Sequence, residues 1–366
     1  MADKVIPDII ETESIPQPPD TDELVRDLLA SADGMPNRDV VRDILRSAAG
    51  LAQDDADRLD LKIMAAALKE MRAAFKMFQP LRGTPKATVF GSARTRSDDP
   101  LYDQARRLAR RLADTGWMVI TGAGPGIMAA AAEGAGREQS IGISIRLPFE
   151  EAPSDILADD DKVVAMKYFF TRKLMLIKES SAFVCLPGGF GTQDETFELF
   201  TLLQTGKATP APVVLLDVPG GSYWTRWRDY IDAELVSAGL VSPQDHELWL
   251  ITDDVEEAAA EVERFWRSYH SLRWVGSRLV LRLRHAPTDD ELVQLNEGFA
   301  DLLVEGAIER SEPLAPEVSD RDHLELPRLV MRYDARRAGR LRALIDAVND
   351  LPSAQAPSAD DTSHGR

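Results

Sequence analysis

The sequence predicts an α/β protein, in which a Rossmann-like, doubly wound parallel sheet is joined to an N-terminal helical extension and a small C-terminal α+β domain. Between residues 85 and 270, short and nearly continuous apolar runs alternate with helical patterns. Such runs are typical of parallel strands that helices cover on both faces. After residue 275 apolar and polar residues alternate along one segment, which indicates a half-exposed antiparallel sheet.

The N-terminal extension combines a polar segment with helices. Prolines interrupt the acidic residues 1–20, a composition that predicts disorder. Further along, Leu61, Met64, Leu68 and Met71 recur at steps of three and four, as apolar residues do on one face of a helix. The expected helices of this extension are 21–33, 38–52 and 54–79.

The remaining elements follow from the same patterns. Strands of the parallel sheet are expected at 86–91, 117–121, 140–145, 182–186, 212–217 and 248–251. Helices are expected near 101–115, 126–136, 168–180, 193–205, 222–238 and 254–270. The C-terminal domain should contain strands at 278–283, 307–311 and 328–333 and helices at 288–303 and 335–348. The predicted domains are 1–84, 85–270 and 275–350, followed by a disordered tail at 351–366.

The composition excludes several classes of protein. A formal net charge of −18 argues against a nucleic-acid-binding protein, which needs a basic surface. The single cysteine, Cys185, lies in an apolar run, so a disulfide framework is excluded and a cytoplasmic location is expected. No apolar stretch reaches the ~18 residues of a membrane span, and the first residues lack the pattern of a signal peptide.

Two glycine-containing loops follow the first two predicted strands, at the sheet edge where open α/β proteins bind ligands. The loop at 91–94 offers a hydroxyl and an arginine to a phosphate, although a turn with a surface arginine fits equally well. The loop at 122–128 opens a helix, so it either presents backbone N–H groups to an anion or forms only a tight turn. It lacks the G-x-G-x-x-G pattern of a dinucleotide site.

The third loop, residues 187–192, also joins a strand to a helix. Its three glycines leave the backbone free to wrap an anion, and Thr192 adds a hydroxyl. No Gly-Lys-Ser/Thr follows, so triphosphate chemistry is not expected. Three residues later, Glu195 has two interpretations: it forms a capping box with Thr192, or it stabilises the positive charge of a sugar during glycosidic cleavage.

A basic pair precedes this loop on a largely apolar helix. Arg172 and Lys173 are either solvated or directed at a ligand, in which case Arg172 binds phosphate or polarises a leaving base. All five histidines lie beyond the loops, so the core shows no Ser-His-Asp triad and no His/Cys metal cluster. We therefore expect neither a metal nor a cofactor, and carboxylates, Arg, Lys or water must do the acid–base work.

Residues 187–195 match P-G-G-x-G-T-x-x-E, which resembles the signature of the LOG family, the cytokinin riboside 5′-monophosphate phosphoribohydrolases. The Arg-Lys pair and the two upstream loops match the same family, and the resemblance covers about 85–265. It implies a Rossmann-like enzyme, usually dimeric, that hydrolyses a nucleoside 5′-monophosphate to free base and ribose 5-phosphate without a redox cofactor. Phe169 and Phe170 stand where the family often has Met-His, which leaves the base open between AMP and a cytokinin-type nucleotide.

The resemblance also implies roles for individual residues. Arg172 and Glu195 would be catalytic. The residues expected to bind substrate are Gly91, Ser92, Arg94, Gly124, Gly126, Met128, Lys173, Gly188, Gly189, Gly191, Thr192 and Glu198.

Two other functions compete with hydrolysis. Related folds bind phosphorylated ligands without cleaving them, so a non-catalytic nucleotide sensor or carrier is an alternative. Amino-acid decarboxylation would need pyridoxal phosphate, and the core shows no suitable lysine context. The expected partners are a nucleoside monophosphate and further copies of the chain in a homodimer or larger homo-oligomer, with no nucleic acid and no membrane.

Overall fold

The structure, a computed structural model, covers most of the chain. The described residues are 25–26, 37–146 and 155–355. The expected disorder at 1–20 and nearly all of the helix expected at 21–33 lie outside them. The tail expected to be disordered from 351 begins with a short helix, Pro352–Gln355, in which Ala354 is buried, and its remainder lies outside the described residues.

The chain divides into two compact units, residues 1–68 and 69–366. The first unit contains helix α1 (Arg38–Gln53), and helix α2 (Arg58–Phe78) crosses the boundary. These helices confirm the segments expected near 38–52 and 54–79.

The second unit is built on a seven-stranded parallel sheet. Its elements in chain order are β1 (Lys86–Phe90), α3 (Pro100–Asp114), β2 (Met118–Thr121), α4 (Ile127–Gln139), β3 (Ser140–Ile145), β4 (Val163–Met166), α5 (Phe169–Lys178), β5 (Ala182–Cys185), α6 (Phe190–Gln204), β6 (Val213–Leu216), α7 (Tyr223–Tyr230), β7 (Leu250–Thr252) and α8 (Val255–Phe265). The strand order is β4-β3-β2-β1-β5-β6-β7, which confirms the doubly wound fold. Apolar cores lie on both faces of the sheet, and Cys185 is buried in one of them.

Strand β4 was not expected from the sequence. It is four residues long, lies at the sheet edge and is only partly buried, so its apolar run is too short and interrupted to be recognised. The helix expected at 222–238 is α-helical only to Tyr230 and continues as a π-helical segment, Ile231–Val236.

A four-stranded antiparallel sheet follows, which confirms the antiparallel sheet that the alternating pattern predicted and adds one strand, Tyr269–Val275, to the three expected. Its elements are β8 (Tyr269–Val275), β9 (Arg278–Leu283), α9 (Asp289–Phe299), β10 (Leu303–Arg310), α10 (Ala315–Asp320), β11 (Arg328–Tyr333), α11 (Ala338–Asp350) and α12 (Pro352–Gln355), and its strand order is β10-β11-β9-β8. The helix expected at 254–270 was too long, because helix α8 ends at Phe265. Tyr269 instead pairs with Leu283 at the start of β8.

Within the described residues, no helix combines the length and the apolar character needed to span a bilayer.

The packing of α3 against the sheet is a direct test of the fold. Leu112 on this helix is fully buried, whereas Leu240 is 69% exposed. We expect Leu112→Ala to lower the free energy of unfolding by about 2–5 kcal/mol, because it leaves a cavity in the core. The matched Leu240→Ala should change it by less than about 0.5 kcal/mol. Urea denaturation measures both, and equal effects would contradict the packing.

Candidate functional site

The three glycine loops meet at one edge of the parallel sheet. They follow β2, β1 and β5, which are neighbours in the sheet and run in the same direction. The carboxyl ends of these strands therefore deliver all three loops to the same place.

The first two loops are in backbone contact. The N–H of Ile127 donates to the carbonyl oxygen of Ser92 over 3.0 Å. Gly126, with a φ of 68°, lies so close that a Cβ there would be 2.3 Å from the Ser92 carbonyl oxygen. Only glycine fits this position, because a side chain would push the two loops apart.

The third loop closes against the first. A Cβ on Gly188 would lie 2.1 Å from Oγ1 of Thr192 and 3.1 Å from the backbone nitrogen of Ser92. The hydroxyl of Tyr223 donates to the Gly188 carbonyl oxygen over 2.6 Å, and Nε2 of Gln193 donates to that hydroxyl over 2.6 Å. Local sequence patterns do not reveal Tyr223 and Gln193 as site residues, because their hydrogen bond joins two helices through residues that lie 30 positions apart in the chain.

The start of helix α6 decides between the two interpretations of Glu195. The helix begins at Phe190, with Gly189 as its N-cap and no side-chain cap. Thr192 is therefore already inside the helix, and the capping box between Thr192 and Glu195 does not form. The first N–H groups of the helix have no intrahelical acceptor, so this end suits an anion.

Glu195 is buried beside Arg172. Its Oε1 lies 3.9 Å from Nη1 of Arg172, and its Oε2 is buried without a hydrogen-bond partner among the described residues. Burial raises the pKa of Glu195 to about 7, although Arg172 and Lys173 oppose the shift. A carboxyl group with this pKa exchanges a proton readily near neutral pH.

Arg172 connects the second loop with Glu195. Its Nε donates to the carbonyl oxygen of Ile143 over 2.9 Å. Gly122 leaves the space that the guanidinium occupies, since a Cβ there would lie 2.0 Å from Nη2. Glu70 holds the start of helix α5, because its carboxylate accepts from the Lys167 N–H and the Thr171 hydroxyl.

Lys173 and Glu198 lie on helices α5 and α6 rather than in the loops, and their side chains contact each other. Nζ of Lys173 is 2.5 Å from Oε2 of Glu198 and 2.8 Å from Oδ2 of Asp194. Desolvation lowers the pKa of Lys173, but these two carboxylates outweigh it and the net shift is upward. This ion pair joins helices α5 and α6 and so fixes Arg172 relative to Glu195.

The other expected ligands line the loops. The side chain of Arg94 is exposed, and the backbone N–H of Arg94 donates to the Ser92 hydroxyl over 3.1 Å. Met128 is half-buried, and Gly124 leaves room for its methyl group, which would lie 2.7 Å from a Cβ at that position. Gly189 and Gly191 are exposed at the start of helix α6.

Comparison with known proteins places this arrangement in a family. The family model described as "Possible lysine decarboxylase" matches residues 126–262. The chain is 29% identical over 162 residues to the cytokinin riboside 5′-monophosphate phosphoribohydrolase of Mycobacterium tuberculosis, covering 43% of this chain and 83% of that protein. It is 30% identical over 159 residues to the cytokinin riboside 5′-monophosphate phosphoribohydrolase LOG2 of Arabidopsis thaliana, covering 42% of this chain and 71% of that protein. The chain belongs to the LOG family.

Among solved structures, the molybdenum cofactor carrier protein of Chlamydomonas reinhardtii is 23% identical to this LOG-family chain. The match covers 50% of this chain and 97% of that chain, with a TM-score of 0.35.

The raised pKa of Glu195 makes a prediction about stability. The pKa is about 7 in the folded chain and near 4.5 in an ordinary carboxyl group. Between these values the folded state holds a proton that the unfolded state has lost, so Glu195 lowers the free energy of unfolding as the pH rises through this window. When the pH is raised from 4.5 to 8, the free energy of unfolding of Glu195→Gln should therefore rise by about 3 kcal/mol relative to that of the parent chain.

Urea denaturation at the two pH values measures this difference. The exposed Glu312 provides the control, because Glu312→Gln should show no such pH-dependent gain. A gain for Glu195→Gln no larger than the control's would mean that Glu195 is solvated.

Proposed function

We propose that this chain hydrolyses the N-glycosidic bond of a nucleoside 5′-monophosphate, of AMP or cytokinin type, to free base and ribose 5-phosphate. The observation that carries the proposal is the buried Glu195, whose Oε2 lacks a partner among the described residues and whose pKa is raised to about 7, directly behind a phosphate-suited loop. The names of the family's relatives in Mycobacterium tuberculosis and Arabidopsis thaliana support the same reaction.

We assign the phosphate to the N-terminal end of helix α6. There Gly188, Gly189, Gly191 and Thr192 offer backbone N–H groups and a hydroxyl, and the helix dipole favours an anion. The loops containing Gly91 and Gly126 close the opposite side. A phosphate held here places the attached ribose toward Glu195, one helical turn further along α6.

In the proposed reaction a water molecule attacks C1′ of the ribose. The C1′–O bond forms and the C1′–N bond breaks, so the electron pair of the broken bond goes to the base nitrogen. Glu195 accepts a proton from the water, and its negative charge stabilises the positive charge that develops on the sugar ring. Arg172, fixed by Ile143, polarises the leaving base, which is released after it takes up a proton from solvent, and Glu195 returns its own proton to solvent.

The exposed apolar residues beside the site support self-association. Phe169, Phe170 and Leu174 on helix α5 and Phe197 on helix α6 are each at least 37% exposed. Clustered apolar surface of this kind is typical of an interface. We propose that two copies of the chain associate through it.

The proposed dimer predicts the effect of a charge in that surface. Leu174→Asp should give a monomer in light scattering at concentrations where the parent chain is a dimer, because a buried unpaired charge is costly. Val293→Asp, at a residue that is 56% exposed elsewhere, should leave the mass unchanged. A monomeric parent chain would contradict the proposal.

The reaction is tested with a panel of nucleoside 5′-monophosphates that includes AMP and prenylated AMP. We expect release of base and ribose 5-phosphate, with kcat/KM rising through a pKa near 7 as Glu195 loses its proton. Glu195→Gln should lower kcat by about 100-fold or more, because it removes the proton acceptor. Glu312→Gln should have the parent rate.

Two results would contradict this account. One is that no member of the panel is cleaved. The other is that a nucleotide binds, stays intact and binds equally well to Glu195→Gln, which is the behaviour of a sensor or carrier.

A further inference from the structure

A cavity lies away from the glycine loops, between the C-terminal end of helix α6 and the antiparallel sheet. Its volume is about 280 Å³, near the lower end of the range for small-ligand sites. Apolar side chains form most of its wall, among them Leu203 of α6, Leu272 and Trp274 of β8 and Leu279 of β9. The helix that begins at the phosphate-suited loop and contains Glu195 therefore ends at this cavity.

One hydrogen-bond donor on the wall of this cavity lacks a hydrogen-bond acceptor. The hydroxyl of Tyr333 makes no hydrogen bond to another residue in the described part of the chain, and burial raises its pKa, so it keeps its proton. Arg342 also lines the cavity, but its side chain is only 5% exposed and its Nη1 is enclosed by protein atoms, so that nitrogen is out of reach of a ligand. A tyrosine hydroxyl that lines a mainly apolar cavity and has no acceptor in the protein is a donor available to a ligand.

The charges around Arg342 are already balanced. Arg342 contacts Glu261 through Nη2 and Asp346 through Nε. Arg264 pairs with the same two carboxylates, over 2.9 Å and 3.7 Å. Two guanidinium groups thus face two carboxylates, and Asp350 and Arg267 at the exposed end of the cluster are paired as well. A ligand carboxylate would add an unbalanced charge next to an apolar wall, which is costly.

We propose that this cavity binds an uncharged, mainly apolar small molecule whose carbonyl oxygen accepts a hydrogen bond from Tyr333. A carbonyl oxygen accepts this hydrogen bond without bringing a charge. The apolar body of the molecule covers the leucine side chains and the ring of Trp274, whose centroid is 5.9 Å from that of Tyr333. This site is separate from the nucleotide site, so its occupancy is tested without a nucleotide.

The test is a ligand-observed NMR titration of the full chain with 2-octanone, acetophenone and octanoate. We expect saturable binding of at least one ketone and, at pH 8, at least about tenfold weaker binding of octanoate, which has the same chain length and a charge. Tyr333→Phe should weaken ketone binding about fivefold, because it removes one hydrogen bond and no apolar surface. Tyr230→Phe, at a tyrosine that is 52% exposed, is the matched control and should bind as the parent does.

A second pair of variants tests the position of the site. Ala335 lies at the exposed rim of the cavity, so Ala335→Trp should fold and abolish ketone binding by filling the entrance. Ala300→Trp, at an exposed alanine that does not line the cavity, should bind normally. The proposal is overturned if neither ketone binds saturably, if Ala335→Trp binds like the parent chain, or if octanoate binds as tightly as the ketones.

Discussion

The buried contact between Glu195 and Arg172 is the constraint on which the candidate site depends. A carboxyl group that has left water is favourable in its charged form only while a cation lies close by, and at 3.9 Å the guanidinium only partly offsets the cost of burial. The result is a group with a pKa of about 7, poised between its two protonation states. A closer guanidinium would lower the pKa of this carboxyl group, and a more distant one would raise it.

The rest of the sheet edge maintains this separation. Lys173, next to Arg172, is tied to Asp194 and Glu198, which flank Glu195 on helix α6. The position of α6 is set in turn by the strand β5 before it and by the hydrogen bonds that Tyr223 and Gln193 make to each other and to Gly188. The lack of a side chain at Gly122 is also needed, because a Cβ there would displace the Arg172 guanidinium.

Much of this arrangement follows from local sequence patterns. Apolar runs between helices are enough to predict parallel strands, and parallel strands are enough to bring the loops after β1, β2 and β5 together. The family resemblance adds that Arg172 and Glu195 belong to one site. The buried position of Cys185 is likewise evident from its apolar neighbours.

Other features depend on contacts between distant segments. The pattern Thr192-x-x-Glu195 is a legitimate capping signature, but the helix starts two residues before Thr192 because Gly189 takes the N-cap position. The pairing of Lys173 with Glu198 depends on the register between two helices. Strand β8 has an apolar pattern that also fits the end of a helix, and its pairing with β9 decides the outcome.

The antiparallel sheet of this LOG-family chain forms part of the wall of a cavity that is separate from the glycine loops. The cavity meets the last turn of α6, whose first turns contain the candidate catalytic residue. A single helix therefore runs from the candidate catalytic residue to this cavity.

The protonation of Glu195 is the central claim, and it can be observed directly. Carbon-13 NMR of the chain labelled at glutamate carboxyl groups, with the Glu195 signal assigned by its loss in Glu195→Gln, gives the titration midpoint of this one group. The account predicts a midpoint near pH 7. A midpoint near 4.5, the ordinary value for glutamate, would show that Glu195 is solvated and would contradict the account.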